Sequence, residues 1–221
     1  MTEIKICGLT TESSVDATVA AGAEWIGFNF FPPSPRYLSP DRAAGLIARL
    51  PPQVGRVAVL VDADNALIDA VLAAGIDTLQ LHGKETPERI AAVRSRTGRP
   101  VWRAVGVKTR DDIARAIAGL GPADRLLLDA KPPSEAPLPG GTSVVAPLPG
   151  GNGLAFDWRL MLGVTPPRPW GRAGGRDAGN VGAALAVLKP AFVDVSSGVE
   201  DGPGVKSNAK IAGFCAAVRG A

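Results

Sequence analysis

The chain has only two cysteines and one histidine in 221 residues. So few thiols exclude a secreted disulfide framework, and Cys7 and Cys215 fall in segments that do not ask for a bridge. A reducing cytoplasm is the expected setting. No apolar run approaches the length of a membrane span, and Glu3, Lys5, Glu12 and Asp16 interrupt the start too often for a signal peptide. Nor is there a block of one charge: 24 basic residues are interspersed with 21 acidic ones for a net charge of +3. The nearest basic clusters, over 94–99 and 168–176, lack the interleaved aromatics that stack bases. Neither nucleic acid nor membrane is expected as a partner. Missing too is the glycine fingerprint of a dinucleotide site.

What the chain does have is a rhythm. Short β-rich runs alternate with longer alanine-rich amphipathic stretches, the pattern of parallel strands joined by helical crossovers. Strands are expected over 4–7, 25–30, 56–61, 78–82, 101–105, 125–129, 170–173 and 192–196. Helical stretches are expected over 13–21, 40–49, 65–74, 86–97, 110–119, 156–162, 179–188 and 207–219. Ser39-Pro40, Thr86-Pro87 and Thr109 before Asp111 and Asp112 have the chemistry of helix starts. Gly22, Gly75 and Gly98 suit helix ends. Eight such units favour one closed α/β barrel, a (β/α)8 TIM barrel spanning 1–221 as a single domain. The chain is shorter than the roughly 250 residues typical of that fold, so its loops must be short.

One connection breaks the rule. The segment 130–155 is rich in proline and glycine, and the six letters at 136–141 recur at 146–151. A loop of this length in a compact domain is usually functional or disordered. It reads as a duplicated lid over the catalytic face after strand six.

Chemistry gathers at the carboxyl ends of the expected strands, where α/β barrels keep their active sites. A thiol, Cys7, ends the first strand and a carboxylate, Asp129, ends the sixth, a combination suited to proton transfer. Strand seven runs into Gly174 and Gly175, and strand eight into Ser196, Ser197 and Gly198. Exposed backbone N–H groups after strands seven and eight form the recurring phosphate site of such barrels. Arg36 ends a stiff Phe30-Phe31-Pro32-Pro33-Ser34-Pro35 loop and is placed to present its planar fork to a carboxylate. Strand parity puts Lys5 inward with Cys7 and Asp194 inward with Ser196, and barrel closure makes strands one and eight neighbours. A Lys5 to Asp194 ion pair below Cys7 is therefore expected, either tuning the thiol or merely filling the interior and neutralising itself. His82, the lone histidine, ends strand four and is given no more than a substrate contact. Cys215 is expected to pack in the core.

The runs Lys5-Ile6-Cys7-Gly8-Leu9, Phe30-Phe31-Pro32-Pro33-Ser34-Pro35-Arg36, Leu79-Gln80-Leu81-His82-Gly83, Leu128-Asp129-Ala130-Lys131, Pro149-Gly150-Gly151-Asn152-Gly153, Ala173-Gly174-Gly175 and Asp194-Val195-Ser196-Ser197-Gly198-Val199-Glu200 together resemble the phosphoribosylanthranilate isomerase family, in that family's order and across almost the whole chain. The resemblance implies an Amadori rearrangement of N-(5-phosphoribosyl)anthranilate in tryptophan biosynthesis, with no cofactor and no metal. It implies Cys7 as general base, Asp129 as general acid and Arg36 as the ligand of the anthranilate carboxylate. Gly174, Gly175, Ser196, Ser197 and Gly198 would hold the phosphate of a small-molecule substrate. A monomer or a homodimer is compatible with it.

Arg172 and Arg176 depart from the family's aliphatic pattern, and either reinforce the phosphate site or point to the surface. Two other readings compete. The histidine-pathway aminoaldose isomerase has a similar barrel but an aspartate where this chain has Cys7. A noncatalytic phosphosugar-binding barrel would need neither Cys7 nor Asp129.

Overall fold

Eight short apolar segments pair side by side until the last meets the first, giving a closed barrel of parallel strands in the order of the chain. The structure is a computed structural model and describes residues 1–131, 157–175 and 177–221. The strands are β1 Glu3–Cys7, β2 Trp25–Asn29, β3 Gly55–Leu60, β4 Thr78–Leu81, β5 Val101–Val107, β6 Arg125–Ala130, β7 Trp170–Arg172 and β8 Phe192–Val195. The helices are α1 Glu12–Ala20, α2 Pro40–Ile47, α3 Asn65–Ala73, α4 Pro87–Thr97, α5 Arg110–Ala118, α6 Val181–Val187 and α7 Asn208–Arg219. Closure is made by β1 against β8, with Lys5 in register with Asp194.

Helix ends follow the side chains that satisfy them. Ser39 and Thr86 cap α2 and α4 by accepting from the N–H of Arg42 and Arg89, and a proline follows each cap. Thr109 and Asp112 form a reciprocal capping box on α5. Gly22, Gly75 and Gly98 all take positive φ beyond helix ends, as expected.

Period-two alternation divides the strand side chains between two cores. Ile4, Ile6, Ile26, Phe28 and Leu126 face outward and pack under the helices. Val57, Trp102, Leu127 and Phe192 face inward, and Trp25 packs against them. The Arg125 guanidinium lies 5.0, 5.1 and 5.5 Å from the ring centres of Trp25, Trp102 and Phe192, and it is also hydrogen-bonded to Glu3.

Three expectations need revision. The helix expected over 156–162 is only a 3-10 turn at Trp158–Met161 among the described residues. A small antiparallel hairpin, β9 Glu200–Gly202 with β10 Val205–Lys206, stands between β8 and α7 where only loop was expected. Arg172 is buried on the outer side of β7, near Val181, Leu185 and Val193, so it does not point to the surface. Apart from Ala130 and Lys131, the lid expected over 130–155 lies outside the described residues, and so does Arg176.

Candidate active site

The mouth of the barrel is built around a buried cation on β1. Lys5 is completely buried, and its ammonium donates to Asp194 Oδ1 at 2.8 Å. Burial alone would lower its pKa, but Asp194 and Cys7 outweigh burial and raise it. The expected pair therefore exists, and Lys5 stays charged in the interior.

Cys7 stands one layer above, at the end of β1. Gly8 turns the chain away at φ 77, a conformation that suits glycine. The N–H groups of Gly8 and Leu9 both donate to the carbonyl of Gly27, at 2.7 and 3.3 Å. Gly27 itself faces the interior. A methyl group there would sit 2.9 Å from Cys7 Sγ and 3.0 Å from Lys5 Nζ, so sulfur and ammonium together fill the space over this glycine. Burial pushes the Cys7 thiol up, with Asp194 adding to the rise and Lys5 and Lys206 opposing it.

Asp129 closes β6 at the same end of the barrel. Its carboxyl is buried and accepts from the N–H of Ala130 at 2.7 Å. Burial raises its pKa to about 7, Asp194 adds to the rise, and Lys5 and the Ala130 hydrogen bond oppose it. His82 Nε2 lies 3.9 Å from Asp129 Oδ2. Burial, helped by Lys5, lowers the His82 pKa to about 4, so the imidazole is neutral at physiological pH. Cys7, Asp129 and His82 thus share the field of Lys5 although they stand at the carboxyl ends of three different strands.

A second charged group lies on the β2 side. Arg36 is buried, and its Nε and Nη2 bond Glu200 Oε1 and Oε2 at 2.7 and 2.8 Å. The fork expected from the proline loop is held in plane by a carboxylate of the protein. Arg36 also packs across Gly8, next to Cys7. Lys206 Nζ donates to the same Glu200 Oε1 at 2.7 Å and to the carbonyl of Ser196 at 2.9 Å. Burial pushes the Glu200 carboxyl up, but Arg36 and Lys206 more than offset it.

The expected anion loops complete the rim. Gly174 and Gly175 both take positive φ, and Asn180 Nδ2 holds the carbonyl of Gly175 at 2.9 Å. Ser197 and Gly198 lie in a 3-10 turn directly after Ser196. The sequence reasoning missed Glu200 and Lys206 as site residues. The one signal for Glu200 was its place at the end of the Ser196-Ser197-Gly198 run. Among the described residues, no group of three or more His, Cys, Asp or Glu is placed to hold a metal ion.

Comparison with known proteins shows what the whole chain is similar to. Residues 4–217 match the family model described as N-(5'phosphoribosyl)anthranilate (PRA) isomerase. N-(5'-phosphoribosyl)anthranilate isomerase of Azorhizobium caulinodans is 49% identical over 220 residues, covering 99% of this chain and 92% of that protein. The enzyme of Paramagnetospirillum magneticum is 46% identical, covering 99% and 97%. The crystal structure of phosphoribosyl anthranilate isomerase from Thermotoga maritima superposes with a TM-score of 0.85 at 34% identity, covering all of both chains. A structure of such an isomerase in complex with reduced 1-(o-carboxyphenylamino)-1-deoxyribulose 5-phosphate gives 0.83 at 32% identity, again covering all of both chains.

Proposed function

This chain belongs to the N-(5'-phosphoribosyl)anthranilate isomerase family, and from that premise we propose that Cys7 and Asp129 are the general base and general acid of its reaction. That reaction is the Amadori rearrangement of N-(5-phosphoribosyl)anthranilate to 1-(2-carboxyphenylamino)-1-deoxyribulose 5-phosphate, an aldose–ketose isomerisation of L-tryptophan biosynthesis.

The protonated Asp129 carboxyl gives its proton to the furanose ring oxygen as the C1–O bond breaks and the anilino nitrogen forms C=N. The iminium acidifies the hydrogen at C2. The Cys7 thiolate removes it, the C2–H electrons form C1=C2 while the C=N pair returns to nitrogen, and the enolamine becomes the ketone as the 2-hydroxyl gives up its proton and C1 gains one. The observation that carries this reading is the buried Asp129, poised at about 7 and able both to give and to regain a proton near neutrality. Since the thiol lies above the carboxyl, the productive form is the minor one, with the proton on Asp129 and not on Cys7.

Arg36 receives the anthranilate carboxylate while Glu200 keeps its guanidinium plane fixed. His82 contacts substrate as a neutral imidazole. Gly174, Gly175, Ser196, Ser197 and Gly198 hold the phosphate, a role supported by their glycine-rich turns after β7 and β8. A reducing cytoplasm belongs to the same reading, because both cysteines are free thiols.

Cys7→Ala and Asp129→Asn are each expected to lower kcat by at least about 100-fold, the usual scale for losing a general acid or base. Binding of the reduced product analogue, measured by calorimetry, should change little. Equal loss of binding and rate would overturn the assignment. In a parallel fluorescence assay, turnover of the histidine-pathway aminoaldose alone would overturn the substrate.

A further inference from the structure

Lys206 is a buried cation that the reaction scheme above leaves without a task. It comes from β10, in the hairpin between β8 and α7. Its side chain is 1% exposed, and its ammonium donates to the carbonyl of Ser196 at 2.9 Å, to Ser196 Oγ at 3.3 Å and to Glu200 Oε1 at 2.7 Å. The hairpin is also seated closely on the Arg36 loop. At Gly204, with φ +80, a methyl group would stand 2.5 Å from the carbonyl oxygen of Pro35.

Counter-charge separates Lys206 from Lys5. Lys5 has a carboxylate of its own, Asp194. Among the described residues, the only carboxylate Lys206 touches is already gripped by both Nε and Nη2 of Arg36, and Oε1 is shared between the two cations. The charge of Lys206 is thus only partly compensated: burial lowers its pKa, with Arg36 adding to the fall and Glu200 and Cys7 opposing it. Ile6 is in register with Val195, so the next residues, Cys7 and the Ser196 that Lys206 holds, stand beside each other, and the thiol feels that cation. The charged and titrating groups around that thiol are Lys5 on β1, Asp194 on β8, Arg36 after β2, Glu200 on β9, Lys206 on β10, and Asp129 and His82 across the mouth.

We propose that Lys206 is a positioning residue for the isomerisation: anchored to Ser196 and Glu200, it holds a partly uncompensated positive charge beside Cys7 that favours the thiolate. The proposal rests on the reading of Cys7 as the base. It gives β10 a task beside that of Glu200 on β9, delivering a cation from the strand-eight side to a thiol on strand one. An opposite charge a few ångströms away typically moves a titrating group by about one unit or more. Because the productive form is the minor one, each such unit is a tenfold change in the fraction of enzyme able to react.

The test is residue-resolved alkylation of Cys7 by iodoacetamide as a function of pH, read by mass spectrometry, beside the pH profile of kcat/KM. Lys206→Met should move the Cys7 titration upward by about one unit, lower kcat/KM near neutrality about tenfold, and shift its alkaline limb the same way. Lys206→Gln keeps hydrogen-bond donors for Ser196 and Glu200 and should do the same. Lys206→Arg keeps the charge and should restore the wild-type titration. An unmoved titration in folded Lys206→Met or Lys206→Gln overturns the proposal, since a merely structural hairpin would lower the rate without touching the thiol. Turnover retained by Cys7→Ala would instead sink the base assignment and leave the titration result standing.

Discussion

A carboxylic acid kept neutral inside a protein leaves a mark on stability as well as on rate. The rise of Asp129 from 3.8 to about 7 means that the folded state binds a proton that the unfolded chain releases between those values. Its contribution is fully present below about 4 and is lost as pH rises through about 7, with a limit of roughly 4 kcal/mol. Asp129→Asn, always neutral, should therefore match the wild type in urea unfolding near pH 4 and exceed it increasingly up to pH 8. An equal difference at both pH values would show that Asp129 is not held protonated by the fold. Parity and barrel closure made the Lys5–Asp194 pair legible, because both residues sit inward on strands that must meet. The grip of Glu200 on Arg36 was not legible, since nothing local links positions 164 apart in sequence.

Elements were readable where local chemistry and packing agree. Ser39-Pro40, Thr86-Pro87 and Thr109 start helices because each supplies the acceptor that free N–H groups need. The α5 cap is the most heavily bonded: Asp112 accepts from the N–H of Lys108 and Thr109, both at 2.9 Å, and from Arg115 at 2.6 Å. Thr109→Ala should lower stability by about 1 kcal/mol in denaturant titration without changing KM. No loss would mean that Asp112 alone suffices. The hairpin escaped sequence reading because Glu200-Asp201-Gly202-Pro203-Gly204 has turn chemistry and too few apolar residues to announce strands. Between β6 and β7 the apolar letters of Trp158-Arg159-Leu160-Met161 suggested a helix, but they close only a single 3-10 turn.

Across the whole molecule, the Arg125 cluster stands at the end of the barrel opposite the reactive groups. At the amino end of the strands, Arg125 lies against three aromatic rings and Glu3, far along β6 from Asp129. Arg125→Met should cost about 2 kcal/mol of stability through lost cation–π and ionic contacts, read as a lower melting temperature. Steady-state kcat/KM of the folded variant should stay at the wild-type value, and a parallel fall would show that the two ends are coupled. Closure of the ring by its first and last strands has a consequence for folding. The sulfur arrives with the earliest residues to be synthesised, but the charged groups that act on it, Asp194 and Lys206, arrive among the latest. A nascent chain can carry most of its helices and still have no working proton relay, so the chemistry switches on only when the circle locks.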